Sequence, residues 1–121
     1  MNSNIETSPP FANAVRAGDL LFCSGMIGLE ADGTVPSEPA RQFALAFQAL
    51  RETLAHHGCG AEDVVDLTTF HVDFPTDMDR FMLARSAFLD ERSSAWTAVG
   101  VAALGYPGSI VEIKAIARVR G

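Results

Sequence analysis

The sequence predicts an α+β domain in which one mixed sheet carries two helices on a single face. Three observations lead there. First, the end of the chain alternates: Val111, Ile113, Ala115, Ala117 and Val119 fall on one side of an extended segment, and Glu112, Lys114, Arg118 and Arg120 fall on the other. A period of two with one wholly apolar side marks a half-buried strand. Second, two internal stretches repeat at helical spacing, Phe43, Phe47, Leu50 and Leu54 in one, and Met78, Phe81, Met82, Phe88 and Leu89 in the other. Third, the element order reads ββαβαββ. Helices interleave with strands, yet the first two and last two strands follow each other directly, which favours one mixed sheet over a fully parallel one.

The elements can be justified in order. Residues 1–10 are polar, end in Pro9-Pro10 and read as a flexible lead-in to a single domain over residues 11–121. Asn13 to Ala17 and Leu20 to Ser24 read as strands about a Gly18-Asp19 turn, and Asp32-Gly33 marks a second turn. Ser37 is placed as the N-cap of the first helix, with Glu38 and Pro39 in its first turn. His56, His57 and Gly58 suit its end. A strand over Val64 to Phe74 follows, stopped by Pro75. Thr76 to Asp79 has the T-x-x-D spacing of a capping box before the second helix. Ala95 opens the penultimate strand, which a glycine-rich connection joins to the last one.

Two helices cover one side of such a sheet. The other side must face water or another copy. Trp96, Ala98, Gly100 and Ala102 share one face of the penultimate strand, and this small-residue face with its Trp is expected on the uncovered side, as a symmetric subunit interface.

Composition excludes some partners. The chain of 121 residues has a net charge of −6, which argues against nucleic acid. No apolar run is long enough for a membrane span, and the first ten residues lack the basic and apolar regions of a signal peptide, so a cytoplasmic protein is expected. Cys23 and Cys59 read as reduced thiols, Cys23 in the core without a base to activate it. No His, Cys or carboxylate grouping has metal spacing, and no phosphate-loop glycine pattern is present. His56 and His57 read as exposed groups at a helix end. His71 reads as a satisfied structural histidine, with a ligand-facing role beside Asp73 as the competing reading.

Three segments carry a family resemblance. PPFANAVRAGDLLFCSGMIG near the start, AEDVVDLTTFHVDF in the middle and WTAVGVAALGYPGSIVEIKAIA at the end resemble the Rid proteins, the YjgF-like or endoribonuclease L-PSP-like family. The likeness runs from about Pro9 to Arg118, and G-x-x-V-E-I-x-A-I-A is its most specific piece. It implies a chorismate-mutase-like α+β fold and a homotrimer with a central barrel, helices outside and ligand clefts between subunits. It also implies hydrolysis of imines and enamines without metal or organic cofactor. Ribonuclease activity, credited to a few members, fits poorly with the acidic charge.

The resemblance carries over to individual residues, with departures. The family's carboxylate-gripping arginine matches Trp96, its early tyrosine matches Phe11, and the glutamine of its S-G-Q step matches Met26. An indole cannot replace a guanidinium fork. The implied pocket is therefore more apolar, and its small-molecule ligand need not carry an α-carboxylate. Trp96 is either core packing or a stacking wall of that pocket. Glu112 matches the family's acidic residue and is expected to be the catalytic acid/base, the competing reading being a structural ion pair. Ser24 and Gly25 match the S-G step that would hold an oxygen, or else form a strand-end turn. Loss of chemistry would leave a trimeric ligand-binding or regulatory protein.

Overall fold

The computed structural model describes residues 12–120. The lead-in expected over residues 1–10, and Phe11 with it, lie outside the described residues. Five strands form one sheet in the order β1-β2-β5-β3-β4. They are β1 (Ala14–Ala17), β2 (Leu20–Met26), β3 (Val64–Val72), β4 (Ala95–Val101) and β5 (Val111–Arg118). Two helices, α1 (Pro39–His56) and α2 (Met78–Leu89), complete the ββαβαββ order. Only β3 and β4 run parallel. The sheet is thus mixed, as the order of elements predicts.

The alternation of β5 sets the two sides of the sheet. Val111, Ile113, Ala115 and Ala117 are buried, whereas Lys114 and Arg118 are exposed and Glu112 is half-buried. The apolar side meets the stripe Phe43, Phe47, Leu50 and Leu54 of α1. Full burial of one such side chain stabilises by about 1.5–3 kcal/mol. Phe81 of α2 is the hub between the layers. Its ring lies 5.4 Å from Phe43, 5.6 Å from Phe47 and 4.6 Å from His71. The outer part of α2 is less amphipathic than expected: Met82 is exposed and Leu83 is 73% exposed.

Both helix starts differ from expectation. Glu38, not Ser37, is the N-cap of α1, and no side chain caps it. Gln42 organises that entry instead. Its side-chain Nε2 donates to Pro36 O at 2.9 Å and Gly108 O at 3.1 Å, while Oε1 accepts from Ile110 N at 3.0 Å. One buried amide thereby ties α1 to the connection before β5. At α2 the N-cap is Asp77, again without a side-chain cap bond. Thr76 is engaged in the preceding turn, where its N–H donates to Asp73 O at 2.9 Å. The strand expected to reach Phe74 ends at Val72, because Asp73 turns with a φ of 61°.

The last two strands are not neighbours. The chain passes from β4 over β3 to reach β5, and β3 separates them. This overturns the expectation that the Trp96 face lies on the uncovered side. In register, Trp96 stands beside Leu67, Ala98 beside Thr69 and Gly100 beside His71. Leu67, Thr69 and His71 are all buried on the helix side. Trp96, Ala98 and Gly100 therefore face the helices. Alternation alone gives two faces without saying which is inside; pairing decides it.

Candidate functional site

Glu112 stands on the uncovered side of the sheet. β3 places Phe70 opposite it. On the other flank, the pairing of β2 with β5 shifts between Cys23 and Met26, and Ser24 and Gly25 occupy that irregularity. A Cβ on Gly25 would collide with the Glu112 carboxylate. The S-G step thus lets the carboxylate lie across the β2 backbone, a position that any larger residue at 25 would deny it. Among the described residues the Glu112 carboxylate has no hydrogen bond and no ion pair, so none of them supplies the structural ion pair.

Ser24 is less free. Its hydroxyl donates to Ala12 O at 2.6 Å, and its N–H donates to Asn13 O at 2.8 Å. Both donors anchor the entry to β1. The hydroxyl oxygen keeps acceptor capacity, but neither hydrogen is available to hold a substrate oxygen while those bonds stand. Beside Ser24, the uncovered side has a shallow depression of about 370 Å³ lined by Val15, Phe22, Ser24, Lys114 and Ile116.

Met26 and Trp96 do not join this group. Met26 is 8% exposed and packs in the core, where its sulfur accepts from Thr53 Oγ1 at 3.9 Å. The irregularity after Cys23 turns it toward α1, so Met26 is a core residue here and not a cleft residue beside Glu112. Trp96 lies through the sheet from Glu112. Its ring sits 6.2 Å from Phe81, and the Arg85 guanidinium covers it at 4.4 Å. Within one chain, Glu112, Ser24 and Gly25 come together, and Trp96 stands apart from them.

Trp96 instead belongs to a buried polar chain. Its indole N–H donates to Thr69 Oγ1 at 2.9 Å, and the same hydroxyl meets His71 Nε2 at 2.8 Å. Thr69 thereby satisfies two rings at once. His71 is 3% exposed, and burial lowers its pKa below the ordinary imidazole value. It is the bonded structural histidine that its sequence context favours. Its ring also borders a cavity of about 440 Å³ that Gln42, Phe43, Asp73 and Thr76 help to line. Cys23 is inert: burial, with the nearby Cys59 adding to it, pushes its thiol up to about 11.

Among the described residues, no group of three or more His, Cys, Asp or Glu side chains is placed to hold a metal. No helix among them is long and apolar enough to cross a membrane. Sequence reasoning missed Gln42, Thr69 and Arg85. Gln42 carried a usable signal, a polar residue next to the apolar Phe43 stripe. Thr69 and Arg85 carried none, because their partners come from the pairing of β3 with β4 and the seating of α2.

Comparison with known proteins agrees with this architecture. The family model described as Endoribonuclease L-PSP matches residues 1–119. The RutC family protein YjgH of Escherichia coli is 41% identical over 110 residues, covering 90% of this chain and 82% of the relative. A solved structure of a protein YjgH superposes with a TM-score of 0.84 at 39% identity, covering 92% of this chain and 85% of the other. RidA from the Antarctic bacterium Psychrobacter sp. gives a TM-score of 0.84 at 26% identity, covering 91% of this chain and 89% of the other. With the S-G step at Ser24 set against the carboxylate of V-E-I at Glu112, and with a family match over nearly its whole length, the chain belongs to the endoribonuclease L-PSP family, the YjgF-like or Rid superfamily.

Proposed function

We propose that this protein hydrolyses an imine or enamine on a small molecule without an α-carboxylate, in clefts between the subunits of a cytoplasmic homotrimer. The observation that carries this reading is the Glu112 carboxylate, unpaired among the described residues and lying against Gly25 on the uncovered side of the sheet. Such a group has the freedom that a proton carrier needs. Glu112 takes a proton from water as the water oxygen bonds to the C=N carbon. That proton returns to nitrogen to give a neutral carbinolamine; its hydroxyl proton then passes by way of Glu112 to the nitrogen as the C–N bond breaks, and a carbonyl compound and ammonia leave. An enamine enters the same path after tautomerising to its imine.

A second copy completes the cleft. Phe22 is 43% exposed on the uncovered side, opposite half-buried Ile116 on β5, an apolar surface suited to burial against another subunit. Trp96 lies on the edge strand β4 and is half-buried. A neighbouring copy seated on the uncovered side brings its own edge strand, and with it the rim of its Trp96, toward Glu112. Phe11 is assigned to the same wall. Ser24 and Gly25 form the floor, Ser24 as an acceptor.

Ammonia release from imines tests this. Turnover is expected, and Glu112→Gln is expected to lower it by about 10²–10⁴-fold. Full-rate turnover of 2-iminopropanoate, which carries an α-carboxylate, contradicts the assigned substrate class. The engaged donors of Ser24 favour a second reading, a trimeric ligand-binding or regulatory protein without chemistry. Ligand-induced thermal stabilisation without any ammonia release identifies that case.

A further inference from the structure

Arg85 is a cation that the fold holds in place without an anion among the described residues. It lies on α2 between Phe81 and Leu89, one turn from each, and is half-buried. Its guanidinium carbon stands 4.4 Å from the centroid of the Trp96 ring. The recorded ion pairs engage Arg41, Arg80 and Arg120, and no carboxylate among the described residues reaches Arg85. Its Nε is buried and has no hydrogen-bond partner.

The second stacked arginine of the protein is a useful contrast. Arg51 covers the Phe88 ring at 5.0 Å, but it is an exposed residue with no sealed polar atom. Arg85 is different because its Nε is sealed. An aromatic face fixes the plane of a guanidinium and offsets part of its charge, but supplies no hydrogen-bond acceptor. The indole cannot swing away either, since its N–H is tied to Thr69 Oγ1 at 2.9 Å and its ring packs on Phe81. The two terminal Nη groups are not among the sealed atoms. They form a pre-set fork, and a fork of this kind matches a carboxylate end-on.

We propose that Arg85 and Trp96 together form a binding site for the carboxylate of a flat small molecule, the anion held by the two Nη groups and the flat body laid along the half-buried indole. The proposal rests on the cleft reading above for the other end of that molecule, which is set toward Glu112 of a neighbouring copy. The gripping charge sits on a helix, a ring-stacking distance beyond the strand, so the carboxylate is held away from the carbon under attack. A substrate with a remote carboxylate fits this arrangement, and one with an α-carboxylate does not.

Trp96 is the only tryptophan, so its emission reports on this site alone. The probes are benzoate and its uncharged isostere benzamide, titrated against the native full-length protein. Benzoate is expected to change the emission saturably, and benzamide to need at least about tenfold higher concentration. Arg85→Gln is expected to abolish the preference for benzoate, and Arg85→Lys to retain part of it, since charge remains and the fork is lost. Equal responses to the two probes, or no response to either, overturns the proposal. So does native-like benzoate preference in Arg85→Gln. Loss of the native oligomeric mass in Arg85→Gln, with no benzoate response in native protein, overturns it in favour of a carboxylate from a neighbouring copy. The readout needs no turnover. Benzoate binding without ammonia release sinks the hydrolase and leaves this site standing, and ammonia release without benzoate preference does the reverse.

Discussion

The two sides of the sheet obey different rules. On the helix side, polar groups are few and engaged: Thr69 joins Trp96 to His71, and Gln42 makes three hydrogen bonds. Arg85 Nε is the exception, a buried polar atom left without a partner. On the uncovered side, Glu112 has no partner among the described residues, and Phe22 and Val15 stand exposed. A buried side with satisfied groups is a stability device. A side with an unengaged carboxylate and exposed apolar side chains leaves those groups unmatched among the described residues, and the proposed hydrolysis and assembly are set there.

That contrast can be broken from either side. The largest stability effect is expected at Phe81, the hub of the aromatic cluster. Phe81→Ala should lower unfolding free energy by about 3–5 kcal/mol in denaturant titration. A cost below 1 kcal/mol, outside the usual range for buried Phe, would mean that the cluster is not what joins the layers. Gly25→Ala comes next. Its Cβ meets the Glu112 carboxylate, so the local structure must shift, at about 1–3 kcal/mol. Any ammonia-releasing activity should fall far more than stability does. Retained activity in Gly25→Ala would separate Glu112 from the chemistry.

Phe22→Asp probes the uncovered side alone. It should leave the stability of the single chain within about 0.5 kcal/mol and shift the solution mass, by light scattering, toward the monomer. An unchanged mass argues that this side is not an interface. The smallest effect is pH-dependent. Burial lowers the His71 pKa below its ordinary value of 6.5, so the unfolded state binds the proton more readily. His71 therefore favours folding fully above about pH 6.5, and that contribution is lost as pH falls from there through the lowered folded value. Melting temperature measured across this range should fall less steeply in His71→Asn than in the native chain. Parallel curves remove His71 from the account of acid sensitivity.

Much of the architecture was legible because period and order carry it. The alternation from Val111 gave β5 and its buried side, and Phe43, Phe47, Leu50 and Leu54 gave the inner stripe of α1. Trp96 shows the limit. Its strand was readable, but its face depended on the register with Leu67, a partner distant in the chain. Met26 shows another: a pairing irregularity after Cys23 reversed the side a simple alternation would assign. The cap residues Ser37 and Thr76 failed for a local reason: each N-cap lies one residue later, at Glu38 and Asp77, and Thr76 is engaged in the Asp73 turn. Glu112 with Ser24 and Gly25 was legible as motifs. That Gly25 must be glycine for the carboxylate to fit became visible only in three dimensions.

The most direct test compares native protein with Glu112→Gln for ammonia release across imines with and without a remote carboxylate, at matched oligomeric mass. Release by the native protein is expected, greatest for imines with a remote carboxylate, with a loss of about 10²-fold or more in the variant. Equal release by both proteins would contradict this expectation.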